Sequence, residues 1–196
     1  MRIYNKITKH LVCHELTIDA DCSTVWNTIA MPGNLNLCHP FCKENQVYTW
    51  GKIGAEDSIE YFNGLMLKRV FTDWREGEGY TLKIGNSYYA SAKVVWSLDD
   101  VDVDKTALKI QIHLYPDIVL DRVPLLLKRL VMNLIYMPLM KRYVHAVTQG
   151  VKFYIETGER VRANQFGYNP LFSKRKDKIE FATRVRVGEF VNKSVG

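Results

Sequence analysis

Nowhere does this chain run for the roughly 20 apolar residues that a bilayer-crossing helix needs. Its longest apolar stretch, VPLLLKRLVMNLIYMPLM, is broken by Lys128, Arg129 and Asn133. The amino-terminal segment MRIYNKITKH has no apolar centre of the kind a secretion signal carries. Low-complexity tracts and internal repeats are also absent. These gaps lead to the expectation of a soluble, cytoplasmic protein. Cysteine is scarce, with four residues at positions 13, 22, 38 and 42. They cluster rather than spread as a secreted disulfide framework does, so reduced thiols are expected. There is no phosphate-binding glycine loop, no HExxH helix and no GxSxG elbow. No cofactor and no metal are expected. A base-stacking pattern of aromatic and basic residues is missing as well, which argues against a nucleic-acid partner.

What is present fits a single globular domain. The chain has 196 residues, 47% hydrophobic and 24% charged. The net charge of +6 is uneven. From Lys174 to Gly196, four Lys and three Arg stand against Asp177, Glu180 and Glu189. The reading is one domain over residues 1–173, with a core over about 8–158, and a basic tail over 174–196. A basic tail is most often solvated, but it also allows weak contact with an anionic membrane surface.

Hydrophobic period sets the expected architecture. HLVCHELTI alternates, with Val12, His14, Leu16 and Ile18 on one face, which predicts a half-buried strand. Asp21 or Ser23 is placed to cap a short helix over 24–29, and Met31-Pro32-Gly33-Asn34 breaks it. From Asn45 to Pro116, six strand-like segments are separated by turn signals. Asn63-Gly64 is the sharpest and predicts a type I′ hairpin. Three strands have clean apolar faces: Tyr80, Leu82, Ile84; Ala92, Val94, Trp96, Leu98; and Leu108, Ile110, Ile112, Leu114. Such a sheet must be covered on one side. Pro124 is placed to start the cover. Apolar residues then recur at helical spacing from Leu126 to Tyr154, Pro138 predicts a kink, and Gly158 a stop.

The stretch LTIDADCSTVWNTIAMPGNLNLCHPF resembles the opening signature of the START-like superfamily, also called SRPBCC. That superfamily includes polyketide cyclases, lipid-transfer domains and the birch-pollen-allergen group. The matching positions are Leu16 and Ile18, then Val25 and Trp26 in the first helix. The resemblance covers about residues 8–158. It implies an α+β helix-grip fold: a curved antiparallel sheet wrapped around a long carboxy-terminal helix, with two short helices after the first strand. It further implies an internal cavity for an apolar or amphipathic ligand. NQFGYNPLFS lies beyond that core and is expected to close over it through Phe166, Tyr168 and Phe172.

The side chains that bear chemistry are few. Cys38-His39-Pro40-Phe41-Cys42 crowds two thiols and an imidazole into five residues. Three readings stand for it. A zinc site lacks its second ligand pair. A cysteine nucleophile lacks an orienting partner. The favoured reading is a loop at the cavity entrance, with His39 and Phe41 as lining residues. His14 either points into the cavity as a ligand contact or acid–base group, or is a satisfied core histidine. Arg69 either faces inward to hold a ligand carboxylate or faces water, because both faces of its strand are mixed. Tyr61, Tyr80, Tyr89, Trp96, Tyr136 and Tyr143 are placed by period to line the interior. Asn133 interrupts the helix's apolar run and is either a polar cavity contact or a solvent-facing residue. Asp99, Asp100, Asp102 and Asp104 form an acidic turn with no calcium-loop spacing. Two functions stay open: carriage of a hydrophobic small molecule or lipid, or a cyclase, dehydratase or aromatase reaction using His14 or His39. The oligomeric state is not legible.

Overall fold

The computed structural model describes residues 10–173. The basic tail over 174–196 lies outside the described residues, so that expectation meets no structural observation. β1 (Leu11–Ile18) leads into α1 (Cys22–Ile29) and the single turn α2 (Leu35–Cys38). Six strands follow: β2 (Cys42–Thr49), β3 (Glu56–Tyr61), β4 (Met66–Arg75), β5 (Gly79–Gly85), β6 (Ala90–Asp102) and β7 (Lys105–Leu114). The chain closes with α3 (Pro116–Val119), α4 (Leu125–Val131), a π-helical turn (Met132–Tyr136) and α5 (Met137–Thr157). Asp21, not Ser23, caps α1: its Oδ1 accepts the Thr24 N–H at 2.9 Å.

All seven strands pair antiparallel in one curved sheet, in the order β1-β7-β6-β5-β4-β3-β2. Register shifts within β2, β4, β6 and at Ile84/Gly85 add local bend and twist. The clean apolar faces read from the sequence turn inward, and α5 lies against them. On β4 the inner face proves to be Leu67, Arg69 and Phe71. The β3–β4 connection differs from expectation. Among the described residues Asn164 is the one non-glycine with positive φ, so Asn63 does not adopt a type I′ conformation. Instead the Gly64 N–H bonds the Tyr61 carbonyl at 2.9 Å and Gly64 itself takes φ 86°. The hairpin therefore turns one residue earlier and places the left-handed residue after it.

The long helix also differs. Pro138 has no N–H to give the Leu134 carbonyl. The ladder widens just before it, and the Met137 N–H reaches back to Met132 O, the bond of a π turn. Beyond the proline, α5 buries Met140, Tyr143, Val144, Val147 and Val151. Before it, Met132 alone is buried, while Leu126, Leu127, Leu130, Leu134 and Ile135 are exposed. The helical spacing that predicted one continuous core face thus covers two situations, and only the carboxy-terminal half grips the sheet. Among the described residues no helix is long and apolar enough to cross a membrane.

Candidate functional site

The interior is filled unevenly. Trp26, Trp50, Phe71, Trp74, Tyr80 and Trp96 form a run of ring contacts with centroids 4.9–5.7 Å apart. This aromatic mass occupies the end of the groove near the β4–β5 turn. Toward the other end a small cavity of about 40 Å³ remains between the sheet and α5, bounded by Leu35, His39, Tyr61, Arg69, Trp96 and Tyr143 among others.

Polar chemistry converges there from three directions. Pro40 holds His39 extended at the end of α2. That loop is a buried wall rather than an entrance: Cys38, His39, Phe41 and Cys42 are all buried. Gly150 of α5 allows this close approach, since a Cβ there would sit 2.2 Å from the Cys38 carbonyl oxygen. The carboxy-terminal segment clamps the loop from outside, through Val161 N–H to Leu37 O and Asn164 N–H to Pro40 O at 2.8 and 2.9 Å. His39 Nδ1 accepts the Phe41 N–H at 3.1 Å. Its Nε2 lies 3.1 Å from the Tyr143 hydroxyl, which lies 3.0 Å from the Tyr61 hydroxyl.

Desolvation and the Arg69 charge depress the His39 pKa to about 3, so the ring is neutral at physiological pH. A neutral imidazole has one N–H. With Nδ1 accepting, that hydrogen is on Nε2 and is given to Tyr143. The trio therefore holds three hydrogens, on His39, Tyr143 and Tyr61, and its two internal bonds use two. One phenolic O–H remains for an acceptor in the cavity. Burial pushes the Tyr143 phenol up to about 12 and the Tyr61 phenol well above its usual value, so both stay protonated donors.

Beside the trio lies a buried ion pair. Arg69 and Asp57 are direct partners across β3 and β4. Arg69 Nε donates to Asp57 Oδ1 at 2.7 Å, and Nη2 donates to Oδ2. Asn45 Nδ2 also donates to Asp57 Oδ2, at 3.1 Å, and to Ser58 O at 2.9 Å. The relative exposures of Arg69 and Asp57 are 4% and 0%. Arg69 has five N–H donors, and the carboxylate takes two.

No family model matches the chain, and no curated protein matches its sequence. Solved structures match in three dimensions. DynU16, from the dynemicin biosynthetic locus, aligns over 82% of this chain with a TM-score of 0.55 at 13% identity. This chain spans about half of DynU16, 51% of its length. The Aha1 protein of Colwellia psychrerythraea, solved as a dimer, aligns over 76% of this chain and 97% of its own, with a TM-score of 0.56 at 12% identity. Norcoclaurine synthase from Thalictrum flavum aligns over 75% of this chain and 93% of its own, at 0.53 and 13%. These structures share the helix-grip fold with this chain. At such identities the likeness is one of fold.

Within the helix-grip frame the sequence-read residues sort clearly. His39, Tyr61, Arg69, Trp96 and Tyr143 bound the cavity. Phe41 stacks on Tyr143 from behind, with centroids 5.6 Å apart. Tyr80 is buried in the aromatic run rather than at the cavity wall. Tyr136 is half-buried against the core. Three expectations are corrected. Asn133 is exposed, because the half of the helix that carries it stands off the sheet. Tyr89 is exposed in the turn before β6 rather than inside. His14 lies on edge strand β1 and borders an outer cleft with Lys141, Arg142 and His145. Its Nδ1 is 2.8 Å from Thr148 Oγ1 and its ring sits edge-on to His145 at 4.6 Å.

The bidentate face of Arg69, expected for a ligand carboxylate, is occupied by Asp57. That aspartate was missed in the sequence, although it shares a strand face with Ile59 and Tyr61. Cys38 and Cys42 thiols are pushed up to about 12 by burial, which leaves no thiolate at neutral pH. Among the described residues no three His, Cys, Asp or Glu side chains gather as a metal site. Of the closing segment, Phe172 inserts against Tyr143 and Tyr61 at 4.5 and 4.6 Å, Phe166 packs on Phe153, and Tyr168 stays half-exposed.

Proposed function

We propose that the cavity between the sheet and α5 binds a small molecule with an apolar body and a hydrogen-bond-accepting group, a carbonyl or ether oxygen. The unspent phenolic O–H of the His39–Tyr143–Tyr61 trio carries this reading. A buried donor without an acceptor costs about 1–3 kcal/mol, and an apolar ligand bearing one acceptor removes that cost. The present free space of about 40 Å³ takes a few water molecules. A hydrophobic or lipid-like ligand therefore enters as side chains around the cavity move apart, as binding proteins with a closed ground state require.

The alternative, a cyclase- or dehydratase-type reaction in the same cavity, needs a group that exchanges a proton near neutral pH. Burial holds His39 neutral down to about pH 3 and Tyr143 protonated up to about 12. His39 also has its free lone pair engaged by Phe41. These features favour holding a ligand over transferring its protons.

Native mass spectrometry of the freshly purified protein, followed by denaturation and analysis of released small molecules, identifies what the cavity holds. The double variant Tyr61→Phe/Tyr143→Phe then tests the contact, because either single variant leaves one phenolic O–H free. Loss of the donor is expected to weaken binding roughly five- to a hundredfold. Unchanged affinity in the double variant refutes the trio as the ligand contact.

A further inference from the structure

We propose that the standing-off half of the long helix, residues 122–136, is a docking surface for an anionic lipid bilayer. Leu126, Leu127, Leu130 and Leu134 follow i, i+1, i+4, i+8 spacing and so share one face. That face points away from buried Met132, and Leu126 is 94% exposed. Leu125 and Ile135 widen it, so the helix is apolar on its outer side as well as its inner one. Single exposed leucines are ordinary, but a contiguous apolar helix surface marks an interaction site.

The other apolar exposures lie at the same end of the sheet. In an antiparallel order the connections alternate ends, so β3–β4, β5–β6 and the exit from β7 fall together. Leu65 and Met66 are exposed in the first, Tyr88 and Tyr89 in the second, and Ile118 in α3 after the third. The Tyr115 N–H bonds the Ser91 carbonyl at 2.9 Å and fixes the start of α3 beside the β5–β6 turn. Tyrosines beside an apolar helix suit the bilayer interface, where the ring is buried and the hydroxyl stays wet.

Charge selects the occupant. From Arg122 to Ile155 the chain has no Asp or Glu: Arg122, Lys128 and Arg129 lie in the leucine-bearing half and Lys141 and Arg142 just beyond Pro138, while Lys152 lies at the other end and bonds Thr17 O. Asp117 and Asp121 precede this stretch, and Asp117 is 3.5 Å from Lys128 Nζ. The opposite end of the sheet carries the acidic groups: Glu76 and Glu78 in the β4–β5 turn, and Asp99, Asp100, Asp102 and Asp104 around the β6–β7 turn. An anionic surface attracts the first end and repels the second, which orients the molecule. A second copy docked on the same face would set these cations against one another. Tyr61, a member of the cavity trio, ends β3 at the leucine-bearing end, and its N–H bonds Leu65 O at 2.8 Å. Docking therefore brings the cavity end of the fold to the bilayer.

The test is co-sedimentation of the full chain with vesicles of mixed phosphatidylcholine and phosphatidylserine, against phosphatidylcholine alone. Binding is expected to the mixed vesicles, to fall with added salt, and to weaken roughly tenfold for each leucine replaced in Leu126→Gln, Leu130→Gln and Leu134→Gln. These side chains face solvent, so the substitutions spare the core. Circular dichroism confirms that. Arg122→Glu with Arg129→Glu supplies a second variant and is expected to abolish the preference for phosphatidylserine. Deletion of residues 174–196 is expected to leave most of the binding. Absence of binding by the full chain, wild-type binding by the triple leucine variant, or loss of binding on tail deletion alone overturns the proposal. So does a dimer that the leucine substitutions dissociate, because the second copy is then the occupant.

Discussion

Replacing one member of the Arg69–Asp57 pair should cost far more than replacing both. Arg69 and Asp57 are 4% and 0% exposed, and two donors of the guanidinium meet both carboxylate oxygens. Asp57→Leu removes the carboxylate and leaves a full positive charge in the core with no counter-charge. Removing one partner of a buried pair typically costs about 3–5 kcal/mol. Against a total stability of about 5–15 kcal/mol for a domain of this kind, that is enough to leave the variant marginal. Arg69→Met leaves Asp57 with the Asn45 amide alone, and a comparable loss is expected. The double variant Asp57→Leu/Arg69→Met has no buried charge at this site, since two apolar side chains meet across β3 and β4. Its stability should return to within about 1–2 kcal/mol of wild type.

Urea unfolding at pH 7, with fitted midpoint and slope for all four proteins, completes the cycle. A large favourable coupling is expected, the double variant being more stable than either single one. If each single variant loses less than about 1 kcal/mol, the pair is not desolvated as the structure has it. If the two losses add in the double variant, each side chain acts through separate packing and the electrostatic reasoning fails. The double variant also separates stability from binding. Recovered stability with lost ligand affinity would show that the remaining Arg69 donors serve the cavity.

Other perturbations follow from single contacts. Gly150→Ala gains about 1 kcal/mol of helix propensity but sets a Cβ 2.2 Å from Cys38 O, and a net loss of about 1–3 kcal/mol is expected in thermal unfolding. His39 takes a proton at 6.5 when unfolded and at about 3 when folded, so the unfolded state binds more protons between those values. Its contribution to stability is complete above pH 6.5 and falls as the pH drops toward 3, by up to about 1.4 kcal/mol per pH unit. A His39→Gln variant should lose that part of the pH dependence, and an unchanged profile refutes the buried neutral ring. Phe172→Ala should cost about 3–5 kcal/mol and open space beside Tyr61 and Tyr143. Added benzene or xenon should raise the variant's melting temperature, and no rise would show that the site collapses.

The fold was legible because period two is unambiguous where one face is buried. Tyr80-Leu82-Ile84 and Leu108-Ile110-Ile112-Leu114 named their inner faces without help. Period does not resolve mixed strands, and β4 shows why. Arg69 occupies an apolar face only because Asp57, opposite it on β3, neutralises it, and that pairing is a fact of register rather than of either strand alone. Helical spacing likewise shows which residues share a face and not whether anything meets that face. The leucines around Asn133 looked like core because they continue the helical spacing that leads to Tyr143 and Val147, and that spacing left Asn133 open between cavity and solvent. The π turn before Pro138 separates the two halves, and the preceding half has no sheet beneath it. His14 shared the buried face of its strand but sits on an edge strand, where the inner face runs out to a cleft.

The cavity and the docking end explain each other better than either stands alone. A closed interior of about 40 Å³ with one unspent O–H is a poor resting place for an apolar ligand. It is a reasonable ground state for a protein that meets its ligand at a surface and opens there. Phe172 is carried by a segment tied through Asn63 Nδ2 to Leu171 O and Asn169 Nδ2 to Leu139 O. The second tie is to the residue after Pro138, next to the π turn, where the helix ladder is already interrupted. A bilayer that engages residues 122–136 therefore pulls on the same short stretch of helix that holds the plug over Tyr61 and Tyr143. On this geometry, ligand uptake by the full chain should be faster with anionic vesicles present than with neutral ones. The leucine variants should lose that acceleration while keeping their affinity for ligand in solution.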